Sequence, residues 1–104
     1  MNVIKVAAHS RTAKVAGAIA GVYRENGSAE VQAIGAGAVN QAIKAVAIAK
    51  GYLAEEGKPI MFVPTFVDEE IDCEARTAVR LSIEANSREI QQDPSGDELV
   101  ARSG

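Results

Sequence analysis

The sequence predicts an α+β fold, a two-layer β-α-β-α-β-β sandwich in which a four-stranded mixed sheet carries two helices on one face. Three observations lead there. The chain has 104 residues, 47% of them hydrophobic, enough for one two-layer core and too few for a large enzyme with a separate catalytic domain. Two segments of helical periodicity each follow a short strand-like segment, and right-handed crossovers place both helices on the same side of the sheet. The last two strand-like segments follow one another with no helix between them, as a hairpin does, and no repeat of fixed period competes with this order.

Val3, Ile4, Val6 and Ala7 flank Lys5 in a β-rich run, the first strand, and Ser10 stands where a helix N-cap belongs. From Thr12 to Asn26 the apolar residues Val15, Ala18, Ile19, Val22 and Tyr23 recur at spacings of three and four, and Gly27 follows where a left-handed stop sits. Gly17 and Gly21 lie inside this helix, each costing about 1 kcal/mol of helix propensity against alanine. That cost predicts a return in close packing of the helix against a neighbour.

Residues 30 to 34 form a second short strand. Gly35-Ala36-Gly37 follows, and then a second helix over 38 to 53, with Val39, Ala42, Ile43, Val46, Ala49 and Leu53 on one stripe. Ile48 and Tyr52 lie off that stripe, an apolar strip that suggests a subunit contact and hence a homodimer, and that one wide buried face explains almost as well. Residues 60 to 67 read as a third strand, interrupted by Pro64 and therefore at an edge or a bulge. Residues 76 to 85 alternate, with Val79, Leu81 and Ile83 on one face and Arg80, Ser82 and Glu84 on the other. Between these strands, residues 68 to 75 form a carboxylate-rich connection that projects as a hairpin tip. Residues 1 to 85 make one domain, and 86 to 104 read as a polar, disordered tail.

The charge is divided along the chain. Residues 1 to 53 carry six basic side chains against two acidic ones, and the remainder five against twelve, within a net charge of −3. That balance argues against coating nucleic acid by bulk charge and leaves a local basic face in play. The single cysteine, Cys73, excludes an internal disulfide. With no signal-peptide pattern and no apolar run of about 18 residues, the chain is expected to be cytoplasmic, without a membrane partner.

The candidate site lies where the first two strands end. These strands are expected to be parallel neighbours, so their C-terminal ends bring Lys5, His9, Arg11 and Lys14 close to Gly35, Gly37, Asn40, Gln41 and Lys44. Basic side chains, amides and two helix N-termini at one edge are what holding phosphates requires. Gly35-Ala36-Gly37 is either a tight strand-to-helix turn or a backbone phosphate contact. A dinucleotide fold wants a third glycine where Asn40 stands, and Glu56, at the distance of a ribose-binding acid, lacks the doubly wound sheet around it.

Catalysis finds little support. His9 neighbours Ser10 but has no carboxylate in its segment to orient the imidazole, so no enzyme activity and no cofactor are expected. Asp68, Glu69, Glu70, Asp72 and Glu74 lack the glycine-centred spacing of a calcium loop, no metal site is expected, and the same carboxylates disfavour a Cys73 thiolate.

Three stretches carry a family resemblance: Val15-Ala16-Gly17-Ala18-Ile19-Ala20-Gly21, the long run from Gln32-Ala33-Ile34-Gly35-Ala36-Gly37 through Asn40-Gln41-Ala42-Ile43 to Ala49, and Glu74 to Thr77. They resemble the stage V sporulation protein S family over residues 3 to 85. The resemblance implies a bacterial protein of the Alba-like superfamily, a dimer that regulates sporulation or a related developmental programme and binds nucleic acid, DNA or RNA. Arg11 and Lys14 match the basic start of the first helix in the archaeal chromatin relatives. Gly37 and Gln41 stand where those relatives carry basic residues, and the acidic 68 to 74 segment replaces the hairpin that they lay along DNA. The alternative expectation is a module that docks a protein partner through the same edge or through Ile48 and Tyr52.

Overall fold

The computed structural model describes residues 3–90. The elements run β1 (Val3–Val6), α1 (Thr12–Asn26), β2 (Ala29–Ala33), α2 (Ala36–Glu55), β3 (Ile60–Ile71) and β4 (Glu74–Ala85), followed by a single helical turn, α3 (Ser87–Ile90). The remainder of the expected tail, 91–104, lies outside the described residues. Among the described residues no helix is long and apolar enough to cross a membrane.

The four strands form one mixed sheet in the order β1-β2-β4-β3. β1 lies parallel to β2, with Lys5 opposite Gln32, and β4 runs antiparallel to both β2 and β3. β3 is thus an edge strand, the position that Pro64 requires, because its missing N–H cannot serve a central ladder. Strand alternation sends Val6, Val31, Ala33, Leu81, Ile83 and Ile60 to the helix side, where they join the buried residues of α1 and α2 in one core. Ile19, Leu53, Ile60, Ile83 and Val31 are its largest fully buried side chains.

Both helices bury most of the face that their apolar spacing suggests, and only Ala18 of the expected α1 stripe and Ile43 of the expected α2 stripe are exposed. In α1 the buried residues are Ala16, Ile19, Ala20 and Tyr23, with Val15 and Val22 half-buried beside them. In α2 they are Ala38, Ala42, Ala45, Val46, Ala49 and Leu53. Ile48 therefore packs against the core and Ile43 is exposed. The expected outward strip of Ile48 and Tyr52 reduces to Tyr52. Alanine dominates both buried faces, and its small side chain lets the two helices approach each other closely.

The same alanines correct the reading of Gly17 and Gly21. A Cβ at either position would meet nothing within 4 Å, so neither glycine supplies close packing. Gly27 does what the sequence suggests: it takes φ 75°, and its N–H closes on the Tyr23 carbonyl at 2.8 Å.

The third difference is the hairpin. β4 leaves β2 at Val79 but stays paired to β3 out to Glu74 opposite Ile71. The acidic segment is therefore a two-stranded arm rather than a loop. Its turn is only Asp72-Cys73, both left-handed at φ 52° and 65°, as a two-residue hairpin requires. β-Branched and aromatic residues at Phe62, Val63, Thr65, Phe66 and Val67 favour this extension, and the carboxylates beyond them alternate between its two faces.

The glycine contacts yield a paired expectation. Gly37→Ala would place a Cβ 3.0 Å from the Cβ of Ala8, an atom that cannot turn away, so it should lower stability by about 1–3 kcal/mol. Gly17→Ala meets open space and should raise stability by about 0.5–1 kcal/mol. Urea unfolding followed by circular dichroism reads both, and a neutral Gly37→Ala would contradict the close approach.

Candidate functional site

Because β1 and β2 are parallel neighbours, the chain leaves both at one edge of the sheet and starts both helices there. After β1 it makes a tight turn: the Ser10 N–H donates to the Ala7 carbonyl at 3.0 Å, and the Ala7 N–H donates to the Ser10 hydroxyl at 2.9 Å. Ser10 is thus committed to the turn and does not cap α1. The N-cap is Arg11, with extended φ −83° and ψ 121° and no side-chain cap. The first intrahelical bond runs from the Val15 N–H to the Arg11 carbonyl at 3.1 Å. The backbone N–H groups of Thr12, Ala13 and Lys14 precede that bond, the general condition of a helix start.

α2 begins in the same way. Gly35 is its N-cap at φ 92° and ψ 154°, a conformation essentially restricted to glycine. It makes no side-chain cap, and the first bond runs from the Val39 N–H to the Gly35 carbonyl at 3.0 Å. Neither helix has an acidic residue in its first turn. Two partial positive charges therefore face outward at this edge with no carboxylate from either first turn to offset them.

Two contacts hold the helix starts together. Gly37 lies against Ala8, and the Gln41 side-chain amide donates to the Ser10 carbonyl at 2.7 Å. The structure thus brings the 7–11 segment to the start of α2, as the parallel strands require. It also changes the role of Gln41, whose Nε2 is spent on the fold. His9, Arg11, Lys14, Asn40 and Lys44 are exposed. Asn40 and Lys44 are one turn apart on α2, on the side of Gly37. Among the described residues Arg11, Lys14 and Lys44 make no ion pair.

The other cations behave differently. Lys5 faces away from the helices, and its Nζ lies 2.6 Å from Oε1 of Glu69 on the arm. The Gln32 amide donates to the other oxygen of that carboxylate. The Gln32 carbonyl oxygen accepts from Nε and Nη2 of Arg80 at 3.1 and 2.6 Å, and Arg80 also reaches Glu30 at 3.4 Å. Gln32 is 5% exposed, and this chain of contacts satisfies both ends of its amide, as a buried polar group demands. Lys5 therefore stands apart from the basic cluster, bound to an acid that sequence spacing does not connect with it.

At the far end of the helices, Arg24 of α1 grips Glu56 with Nε and Nη2 at 2.6 to 3.1 Å. Hydrogen bonding from Arg24 holds the Glu56 carboxyl below its ordinary value. Glu56 is thus a clamp between the helix ends, on the side away from the Gly35 turn, which rules out a ribose-binding role for it.

The arm rises from the same edge at which the helices begin, since it extends β4 past the C-terminal end of β2. Between arm and sheet lies a cleft of about 390 Å³, lined by Lys5, Ala7, Ala8, Gln32, Glu69 and Ile71 among others. Sequence spacing alone places neither Gln32 nor Glu69 at this site. The polar faces of β1, β2 and β4 set Lys5, Gln32 and Arg80 in one row, a signal that points to Gln32. Only the path of the arm brings in Glu69.

These features define a small two-layer α+β protein whose chemistry-bearing groups collect on one exposed edge, around two helix starts. Among the described residues no group of three His, Cys, Asp or Glu side chains is placed to hold a metal. The family model for stage V sporulation protein S matches residues 2–86. The chain belongs to that family, and it is a sporulation-related protein.

The Lys5–Glu69 pair has a measurable signature. Hydrogen bonding from Lys5 is the largest influence holding the Glu69 carboxyl below its ordinary value, with smaller help from Gln32 and Arg80. A carboxyl lowered in the fold contributes stability above its unfolded value, and that contribution is lost as pH falls through the folded value. Lys5→Gln should move the Glu69 midpoint upward in a carboxyl NMR titration. An unchanged midpoint would show that the pair does not form in solution.

Proposed function

We propose that this domain binds nucleic acid through the phosphate backbone at the edge where α1 and α2 begin, and does so as a homodimeric, non-enzymatic regulator of sporulation in the cytoplasm. The observation that carries the reading is the contrast in pairing: Arg11, Lys14 and Lys44 are exposed without an ion pair among the described residues, beside two helix N-termini that lack side-chain caps. Lys5, Arg80 and Arg24, by contrast, are matched with Glu69, Glu30 and Glu56. Unpaired cations beside outward N–H groups are what a phosphate row meets in backbone recognition.

His9 and Asn40 supply hydrogen-bonding groups on the same edge, and Gly35, with nothing within 4 Å of where a Cβ would stand, leaves the backbone open to close approach. Gln41 contributes by fixing the two helix starts against each other. The net charge of −3 sets the character of binding: local, weak and salt-sensitive, with no long-range attraction from bulk charge.

The dimer is supported by the opposite flank. Ile43 of α2 and Phe66 of β3 are exposed, Phe66 to 79%, and Met61 and Val63 of β3 are exposed on the opposite face of the sheet from Phe66. A groove between these elements is lined by Ile43, Val46, Ala47, Ile60, Met61 and Phe62, with Lys50 and Asn86 as its polar members. An apolar surface of this kind suits a second copy of the chain. The same flank favours the second reading, a module that docks a protein partner there without touching nucleic acid. It replaces the Ile48 and Tyr52 strip as the surface for that reading.

Fluorescence anisotropy of labelled single-stranded DNA, duplex DNA and RNA separates the two readings. Saturable binding in the range of about 1–100 μM is expected at physiological salt, weakening as salt rises. Charge reversal in the double variant Arg11→Glu with Lys14→Glu should weaken it at least about tenfold and flatten the salt slope by roughly 0.7 for each phosphate of a single strand that is no longer neutralised. Light scattering on the same sample should read twice the chain mass. Binding that survives the reversal unchanged rejects this edge, and absence of binding to all three ligands moves the function to the apolar flank.

A further inference from the structure

The arm and the basic edge share one end of the molecule, and the arm is acidic. Asp68, Glu69, Glu70, Asp72 and Glu74 lie on its two strands and turn. Past Val79 it is a two-stranded ribbon, a structure of marginal rigidity when it stands alone. What returns it to the body is the Glu69 carboxylate. One oxygen takes the Lys5 ammonium at 2.6 Å and the other takes the Gln32 amide. The Lys5 side chain is 66% exposed, and an exposed ion pair of this kind is weak and readily exchanged for another anion.

Two donors on one anionic group, an ammonium and an amide, is also how a protein holds a phosphate oxygen. Lys5 and Gln32 open into the cleft whose other wall, at Ala7 and Ala8, leads directly into the start of α1. A strand that follows the 7–11 segment from the helix starts round to the outer face of the sheet thus meets a further cation in this cleft, already occupied by protein carboxylate.

We propose that the acidic arm is a built-in competitor for the nucleic-acid backbone at this edge, with Glu69 held by Lys5 and Gln32 in the place of a phosphate and displaced when a strand binds. This regulatory role rests on the nucleic-acid reading above. It accounts for an acidic hairpin standing beside a basic edge in one small domain: the arm sets a threshold that weakly held anions do not cross. Glu69 is a regulatory residue in this scheme, and Lys5 is a phosphate contact that becomes available only when the arm yields.

The test is anisotropy with a short labelled oligothymidine, comparing the full chain with its Glu69→Gln, Lys5→Gln, Glu70→Gln and double Lys5→Gln/Glu69→Gln variants. Glu69→Gln should bind about 3- to 10-fold tighter than the unmodified chain, with a salt slope steeper by roughly 0.7, the contribution of one further phosphate neutralised on a single strand. That gain should vanish in the double variant. Glu70→Gln removes the same charge from the opposite face of the arm and should give a smaller, Lys5-independent change. If the unmodified chain binds and Glu69→Gln matches it in affinity and slope, the competitor role is overturned while the edge stands. A gain that persists without Lys5 also overturns it, as a general charge effect. If no variant binds, the edge reading itself fails and this role falls with it.

Discussion

The close approach of Gly37 to Ala8 is the constraint on which the rest of the arrangement depends. Parallel pairing of β1 and β2 delivers the chain to one edge twice, and both helices must start there. They start side by side in close contact, with residue 37 lacking the Cβ that would press on that of Ala8. Gly35, at a backbone angle reserved for glycine, turns the chain into α2, and the Gln41 amide closes the joint onto the Ser10 carbonyl. Everything proposed for function is placed by that joint: the outward N–H groups of two helices, Arg11 and Lys14 on one, Asn40 and Lys44 on the other.

Electrostatics then sorts the cations into two groups. On the outer face of the sheet Gln32 is buried and needs partners for both ends of its amide. Arg80 and Glu69 supply them, and Lys5 and Glu30 complete the row. Charge is internally balanced there. At the helix starts it is not, and the proposed affinity for an outside anion rests on this imbalance. The uneven split of charge along the sequence becomes a separation in space, except where the arm brings part of the acidic half back to the edge.

Much of the fold is legible in the sequence because periodicity and punctuation agree. The span of α1 from Thr12 to Asn26, its stop at Gly27, the edge position of the Pro64 strand and the alternation of Leu81 and Ile83 against Arg80 and Ser82 all follow from local rules that packing does not overrule. What escapes is set by tertiary contact. Ser10 has the chemistry of an N-cap, yet a turn with Ala7 claims its hydroxyl. Gly17 and Gly21 suggest close packing, but buried alanines provide it. The predicted face of α2 is buried, but its margins differ: Ile48 packs against the core and Ile43 is exposed. The carboxylates of the arm disfavour strand and suggest a loop, and the length of its ladder outweighs that preference. Of the candidate residues, the cluster around the helix starts is readable from the parallel strands alone. The capture of Lys5 by Glu69, 64 residues away, is not, since no local pattern encodes how a ribbon bends.

One spatial claim underlies all of this: the joined starts of α1 and α2 form a single phosphate-binding edge. Amide chemical-shift mapping by NMR during titration with a short single-stranded oligonucleotide tests it most directly. The shifts are expected to concentrate at the free amides of the first helical turns, Thr12 to Lys14 and Ala36 to Ala38, and at the neighbouring turn from Ala7 to Arg11. Shifts confined to the apolar flank at Ile43, Met61 and Phe66, or spread evenly over the chain, would contradict it.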